Sequence, residues 1–195
     1  MGTDSFLWEE IDMRCTSIFS ILVAVGLLSG CTTPLDKASV YYDRAGYPAQ
    51  VVKQVPGVQG PVLQHGRCNV ILSTPGSNTG GLNFCTYALT PDSLAVQGWD
   101  ARKLEYTEIV HLKWSDLTAV SLKTFGMTKQ VQFIEKQRQT GFSAIIDDGG
   151  YIDRDSTEKI FDFVESKGVK VVDSDGLMRP PQGGAVYVPI IVYHR

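Results

Sequence analysis

The sequence predicts a mainly antiparallel α+β domain, built as an open barrel or a strongly bent sheet that one helix closes. Short strand-like runs separated by turn residues and one amphipathic helical pattern after them favour this class. The clearest strand pattern alternates apolar Val110, Leu112 and Trp114 with polar His111 and Lys113. We therefore expect a meander with one buried face and one face in water.

The first predicted hairpin pairs residues 67–72 with residues 82–87. The segment 73–81 between them is rich in Ser, Thr, Asn and Gly, which is typical of a turn. It is not a phosphate-binding loop, because neither Gly-Lys-Ser/Thr nor a helix follows it. Further strand-like runs follow at residues 88–96, 110–114, 117–122, 130–135 and 141–146. Pro91-Asp92 is expected to form a turn that divides the first of these runs into two strands.

The predicted helix covers residues 156–167. Asp155 or Ser156 can cap it, and Lys167-Gly168 is a typical helix end. Glu158 supplies a first-turn acid, and the apolar face comprises Ile160, Phe161, Phe163 and Val164. After the helix we expect a linker beginning at residue 173 and a terminal edge strand, since Pro189 cannot donate to a central ladder.

Residues 18–31 form an apolar run of the length of a signal-peptide core and too short for a comfortable membrane span. Arg14 precedes the run, and Leu28-Ser29-Gly30-Cys31 ends it. This ending resembles the lipobox of bacterial lipoproteins. The resemblance implies a diacylglyceryl group on the Cys31 sulfur, cleavage before Cys31 and acylation of the new amino end. The alternatives are an ordinary secretory signal or a buried helix that ends in cysteine.

The first twelve residues carry four acidic side chains, Asp4, Glu9, Glu10 and Asp12, where a signal peptide favours positive charge. We therefore predict that translation starts at Met13. Without residues 1–30, the predicted signal peptide, the chain has 165 residues with 17 acidic and 17 basic side chains. A neutral chain of this size is enough for one domain and offers no electrostatic argument for binding nucleic acid.

Four cysteines are present, of which Cys15 lies in the predicted signal and Cys31 takes lipid. In an oxidising envelope compartment, Cys68 and Cys85 are expected to form a disulfide. The alternatives are two free buried thiols or a metal site, for which only His65 lies nearby in the sequence.

Residues 31–61 are expected to be a lipidated tether, since Pro34, Pro48, Pro56 and several glycines discourage long elements. The β-rich domain with its C-terminal helix is then expected over residues 62–172. Part of the tether could still pack on it.

Residues 87–172 are similar to bacterial pleckstrin-homology-like domains. The similarity lies in the segments LTPDSLAV, EIVHLKWSDLTAVSL, KQVQFIEKQRQ, GFSAIIDD and STEKIFDFVESKGV. The resemblance implies that the Trp114-Ser115-Asp116 element falls at a strand end and that the C-terminal helix plugs an open barrel. It implies no particular ligand.

No catalytic or metal site is expected. His65, His111 and His194 show no ligand spacing, and His111, Ser115 and Asp116 lie too close along one strand to form a triad. His111 is interpreted as a solvated histidine. The acids of the 147–155 turn lack the EF-hand alternation, so a turn and a helix cap are favoured over calcium: Asp147, Asp148, Asp153 and Asp155.

Most aromatic side chains are interpreted as core: Trp99, Trp114, Phe125, Phe133, Phe161 and Phe163. Lys123 and Lys129 flank Phe125-Gly126-Met127, for which a packed hairpin end is favoured over an exposed tip that contacts lipid or a partner.

The combined expectation is a lipid-anchored envelope protein that acts as a non-catalytic binding or assembly module. It would need no cofactor beyond the covalent lipid on Cys31, and its partners would be the membrane and an envelope protein. Thr32 favours the outer membrane facing the periplasm over the inner membrane; a Gram-positive cell surface is the other alternative. A hydrolase or a small-ligand carrier are the alternative functions.

Overall fold

The computed structural model describes residues 40–147 and 150–182. Within these ranges the helices are α1 (Tyr47–Gln54) and α2 (Arg154–Ser166), and a 3₁₀ turn covers Trp114–Asp116. Its strands are β1 (Gln64–Ser73), β2 (Gly81–Leu89), β3 (Ser93–Asp100), β4 (Glu105–Lys113), β5 (Leu117–Phe125), β6 (Thr128–Glu135) and β7 (Gln139–Ile145).

All seven strands belong to one antiparallel sheet in the order β4-β3-β2-β1-β7-β6-β5. Strands β4 and β5 are the two edges of the sheet, yet only Trp114–Asp116 separate them in the sequence. The sheet must therefore bend until its two edges approach each other at this turn. No ladder joins β4 to β5 within the described ranges, so the sheet is bent but not closed into a barrel.

The predicted fold class is confirmed: the protein is mainly antiparallel, and one helix after the last strand packs on the bent sheet. The inner face of the sheet carries Val70, Phe133 and Phe142, all with no exposed surface. Ile160 and Val164 of α2 complete this core, because their four-residue spacing places them on one face of the helix.

Helix α2 begins at Arg154, two residues before the predicted start. Neither Asp155 nor Ser156 is its cap; the Asp153 carboxylate accepts a hydrogen bond from the Ser156 N–H at 3.0 Å. The predicted end is confirmed, since Lys167 is the C-cap and Gly168 has a φ of 82°, which favours glycine.

Residues 47–58, in the second half of the segment expected to be a tether over residues 31–61, are part of the folded domain. Helix α1 packs on the outer face of β2–β4, and Tyr47, Val51 and Val55 are buried there. The helix can approach closely because the cross-strand pair Ala88 and Ala95 presents only methyl groups on this face. The outer face of this half of the sheet is therefore covered rather than wet.

The expectation of a linker from residue 173 is wrong for its described part. Residues 170–182 run along β5 and then across β6; Val120 exchanges backbone hydrogen bonds with Lys170 and Val172. The Gln130 side chain bonds both the N–H and the carbonyl of Met178, which is buried. The predicted edge strand after this segment lies outside the described residues.

Candidate functional site

The strongest site predicted from the sequence, Leu28-Ser29-Gly30-Cys31, lies outside the described residues, and so does the predicted start at Met13. Val40 is the first described residue and is buried, and residues 32–39 lie between it and Cys31 in the sequence. Over the described ranges, no helix is both long enough and apolar enough to cross a bilayer.

Cys68 and Cys85 are directly opposite each other in β1 and β2, as the hairpin prediction required. Both are buried free thiols in this structure, and their Sγ atoms are 2.7 Å apart. Opposite residues of an antiparallel pair have Cα atoms about 4.5–5.5 Å apart, within the range that a disulfide needs. The disulfide stays a prediction.

Burial raises the pKa of the Cys68 thiol well above its usual value, and the neighbouring Cys85 acts in the same direction. The thiolate is the form that attacks electrophiles or binds metal, so this environment disfavours both roles. No group of three His, Cys, Asp or Glu side chains that could hold a metal ion exists in the part of the chain that the structure describes.

His111 is not the solvated histidine that the alternation predicted. The turn after α1 covers it, and its side chain is only 15% exposed. Gly57 lies so close to His111 and Glu108 that a Cβ atom there would collide with both side chains. The His111 Nδ1 atom is 3.5 Å from Glu108 Oε2, and its buried Nε2 atom has no hydrogen-bond partner among the described residues.

A groove of about 650 Å³ beside His111 brings together the groups that a hydrolase would use: Thr90, Asp92, Ser93, His111 and Ser115. Their hydrogen bonds are those of a structural turn. The hydroxyls of Thr90 and Ser93 bond each other at 2.9 Å, and the Ser93 N–H also donates to Thr90 Oγ1. Neither hydroxyl bonds the histidine, so the nucleophile–base contact of a serine hydrolase is not formed.

His111, Ser115 and Asp116, which were not expected to form a triad, do not form one here, since the Ser115 hydroxyl donates to Asp116 at 3.0 Å. Asp116 instead lines a second, polar groove of about 800 Å³ between the 3₁₀ turn and the β6–β7 turn. This groove holds the ion pair of Arg138 Nε with Glu135 at 2.6 Å.

The acids of the 147–155 turn have separate structural roles rather than a shared site. Asp147 forms an ion pair with Arg44 at 3.0 Å, and Asp153 caps α2. Asp155 lies in the first turn of α2, where its negative charge interacts favourably with the positive end of the helix dipole. Asp148 lies outside the described residues.

The Phe125-Gly126-Met127 turn is exposed, so the expectation of a packed hairpin end is wrong. Phe125 is 69% exposed and Met127 79% exposed. The flanking lysines are not free to attract an anion, because Lys123 pairs with Asp173 and Lys129 with Glu158. Of the aromatic side chains assigned to the core, Phe133 and Trp114 are buried, whereas Trp99, Phe161 and Phe163 are partly buried.

No local pattern in the sequence indicated the aromatic cluster around Tyr41, near the first described residue. The ring of Tyr41 lies 4.5 Å from that of Trp99, and Trp99 packs on the ring of its cross-strand partner Tyr106 at 5.0 Å. The Tyr106 hydroxyl donates to the carbonyl of Tyr41 at 3.1 Å. These contacts fix residues 40–42 beside the β3–β4 turn.

A polar group lies on the other side of the same segment. The Tyr42 hydroxyl is 2.8 Å from His65 Nδ1, and the Arg67 guanidinium lies over the Tyr42 ring at 5.9 Å. Burial raises the pKa of Tyr42 to about 12, and the Asp147 carboxylate adds to the shift. Burial lowers the pKa of His65, and the charge of Arg44 acts in the same direction. The arrangement joins the N-terminal segment to β1 and to the turn after β7.

No family model and no curated protein matches this chain. Solved structures that are similar to parts of it include the following three. A structure of the Vav1 exchange factor, in work on the role of its PH and C1 domains, has a TM-score of 0.38 at 11% identity. The match covers 55% of this chain and 25% of the Vav1 chain, so this chain corresponds to about a quarter of that protein.

The second is a structure from a systematic screen for protein–lipid interactions in Saccharomyces cerevisiae, with a TM-score of 0.35 at 14% identity; it covers 54% of this chain and 94% of that one. The third is the hSac2 domain of the human phosphoinositide phosphatase Sac2, with a TM-score of 0.36 at 7% identity, covering 76% and 100%. Scores this low carry no argument about ligand or activity. The Trp114–Asp116 turn at the end of β4 and the helix after the last strand are the elements that the pleckstrin-homology-like resemblance implied.

Proposed function

We propose that this protein is a lipid-anchored cell-envelope lipoprotein whose domain is a non-catalytic binding or assembly module held close to a membrane. The observation that carries the proposal is the lipobox-like Leu28-Ser29-Gly30-Cys31 at the end of an apolar run. Acyl chains on Cys31 would hold the chain stably, because two or more chains are needed for lasting attachment. Thr32 favours the outer membrane and its periplasmic face.

The structure supports a short connection between anchor and domain. Nine residue steps lead from Cys31 to the buried Val40, and an extended chain spans at most about 3.6 Å per residue. The domain would therefore begin within about 30 Å of the lipidated sulfur. A module attached in this way would meet its partners at the membrane surface rather than far into the compartment.

Two observations support a binding role over the alternatives. The Thr90 and Ser93 hydroxyls beside His111 form hydrogen bonds within a turn, which weakens the case for a hydrolase. The space inside the bent sheet is filled by side chains from both halves, such as Tyr87, Phe133 and Phe142, which leaves little room for a carried ligand.

The exposed Phe125 and Met127 offer an apolar contact for an envelope protein.

The experiment that tests this proposal compares the parent protein with Cys31→Ala in cells that are fed labelled palmitate. We expect label on the parent only, and the parent in the membrane fraction. Equal fractionation of both proteins without any label would contradict the proposal. A Cys85→Ser variant, which keeps Cys31, is the matched control and should label like the parent.

A further inference from the structure

We propose that the β3–β4 turn, together with Tyr41 and Trp99 beside it, is the surface by which the anchored domain lies against the lipid bilayer. The proposal rests on the lipid anchor proposed above. It adds which side of the domain faces the membrane and by which side chains. The occupant of this surface is the interfacial layer of the bilayer.

The position of the chain entry is the first argument. Residues 32–39 are all that separates Cys31 from Val40, and Tyr41 is held against Trp99 and Tyr106 at the end of the β3–β4 hairpin. An anchor this few residues from the hairpin gives the turn a high effective concentration at the bilayer. No comparable constraint applies to the Phe125–Met127 turn, since β2, β1 and β7 lie between β3 and β6 in the sheet.

The second argument is the backbone of Leu104 at the tip of the hairpin. Leu104 has a φ of 55°, and it is the only residue besides glycine with a positive φ in the described ranges. Its side chain is nevertheless 68% exposed. A bulky residue in this conformation is unfavourable, and glycine or asparagine would remove the strain. An exposed leucine at such a position gains nothing from the fold, so we assign its role to an apolar environment outside it.

The third argument is the composition of the surface around Leu104. Tyr41 is 44% exposed, and its ring lies 4.5 Å from that of the partly buried Trp99 at a tilt of 37°. Tyrosine and tryptophan favour the boundary between water and lipid, where the ring meets apolar groups and the polar atom stays hydrated. An exposed leucine in the turn of the same hairpin would enter the layer just below the headgroups.

Charge does not drive this contact. Arg102 and Lys103 lie in the turn, but Asp100 and Glu105 flank them, and Lys103 Nζ is 3.5 Å from Glu105 Oε1. A balanced turn gives no net attraction to an anionic surface. The proposal therefore requires that the turn contacts neutral and anionic lipid alike. This contact should depend little on salt concentration.

The test places an environment-sensitive fluorophore at either of two hairpin tips of the lipidated, full-length protein, through Leu104→Cys or Met127→Cys. Met127 is the matched control because it is also an exposed apolar residue in a β-turn. The other cysteines do not compete, since Cys68 and Cys85 are buried and Cys31 carries lipid. Each labelled protein is reconstituted into phosphatidylcholine vesicles, and quenching by iodide in the water and by doxyl-labelled lipid is measured.

We expect the probe at position 104 to be quenched several-fold less by iodide than the probe at position 127, and to be quenched by doxyl lipid where position 127 is not. The same result is expected in vesicles that contain phosphatidylglycerol. The proposal is overturned if both probes report water while the protein stays on the vesicles, or if position 127 is the one in lipid. Contact only with anionic vesicles would also overturn it.

The two proposals fail in distinguishable ways. Loss of the bilayer contact alone leaves the protein bound to vesicles, with lipid on Cys31 found by mass spectrometry. Absence of lipid on Cys31 together with absence of vesicle binding would contradict the proposed lipid anchor. It would also contradict the proposed bilayer-contacting surface, which depends on that anchor.

Discussion

Tyr47 donates a hydrogen bond from its hydroxyl to the side-chain carbonyl of Gln97, and both side chains are fully buried. The bond joins α1 to the outer face of β3. Residues ahead of the first strand are thereby part of the folded domain, and the segment between the predicted anchor and the domain is reduced to a few residues.

We predict that Tyr47→Phe lowers the free energy of unfolding by about 1 kcal/mol, the net contribution of one buried hydrogen bond. Tyr47→Ala should lower it by about 3–5 kcal/mol, because it also leaves a cavity under α1. Urea denaturation followed by circular dichroism measures both changes. Val52→Ala, at a 46% exposed position of the same helix, is the control and should change stability by less than about 0.5 kcal/mol. Equal effects at 47 and 52 would show that α1 does not pack on the sheet.

Leu104→Gly is predicted to stabilise the isolated protein by about 1 kcal/mol, because glycine adopts a φ of 55° without a clash of Cβ with the backbone. Thermal unfolding of parent and variant measures the change. Met127→Gly is the counterpart, since Met127 is also exposed but its φ is not positive, and it should bring no gain. A lower melting temperature for Leu104→Gly would remove the strain argument.

The His65 environment predicts a pH dependence of stability. Burial lowers the pKa of His65 in the folded protein, whereas the unfolded chain takes up this proton near pH 6.5. The unfolded state therefore binds more protons in the window below about pH 6.5, so this group lowers stability as the pH falls through it and has no effect above it.

His65→Gln should consequently lose less stability than the parent between pH 7.5 and pH 5, in matched urea titrations. The glutamine can still bond the Tyr42 hydroxyl, which limits the structural cost of the change. Superimposable pH profiles for parent and variant, or an NMR titration of His65 at or above pH 6.5, would contradict the assignment.

The facing cysteines make a prediction about protein taken from an oxidising compartment. Denatured but unreduced protein should show no reactive thiol from Cys68 and Cys85, and Cys85→Ser should show one. Reduction should lower the free energy of unfolding by about 3 kcal/mol, as expected for a loop that joins residues 17 positions apart. Two reactive thiols in the unreduced parent would show that the pair stays reduced. Denaturation is essential, because the buried thiols are inaccessible in the folded state.

Local patterns in the sequence predicted most of the central fold. Alternating polarity and the turn residues between runs predicted the strands, and the hairpin of β1 and β2 has the Cys68–Cys85 register that was expected. Helix α2 was predicted because its apolar spacing and its Gly168 end are also local signals.

Helix α1 was missed because Gly46 and Pro48 were interpreted as breakers. Pro48 lies in the first turn of the helix, where its missing N–H costs no hydrogen bond, and Gly46 is the N-cap. The small pair Ala88 and Ala95 on the outward face was the available signal that another element lies close. The packing of residues 170–182 was missed because Gln130 bonds backbone groups of Met178, a contact that no local pattern shows.

The candidate site was only partly accessible from the sequence. The predicted lipobox is a contiguous motif, so the sequence alone was enough to propose it. The contact of Tyr41 with Trp99 joins residues distant in the sequence, and the backbone conformation of Leu104 depends on the turn that the hairpin imposes. Such features follow from the packed fold and have no counterpart in local composition.

The most direct test of the account is mass spectrometry of the amino-terminal peptide of the mature protein. We predict a peptide that begins at Cys31 and carries a diacylglyceryl group on the sulfur, with a further acyl chain on the amino group. A mature peptide that includes Gly30, or one that begins at an unmodified Cys31, would contradict the lipid anchor on which the proposed function depends.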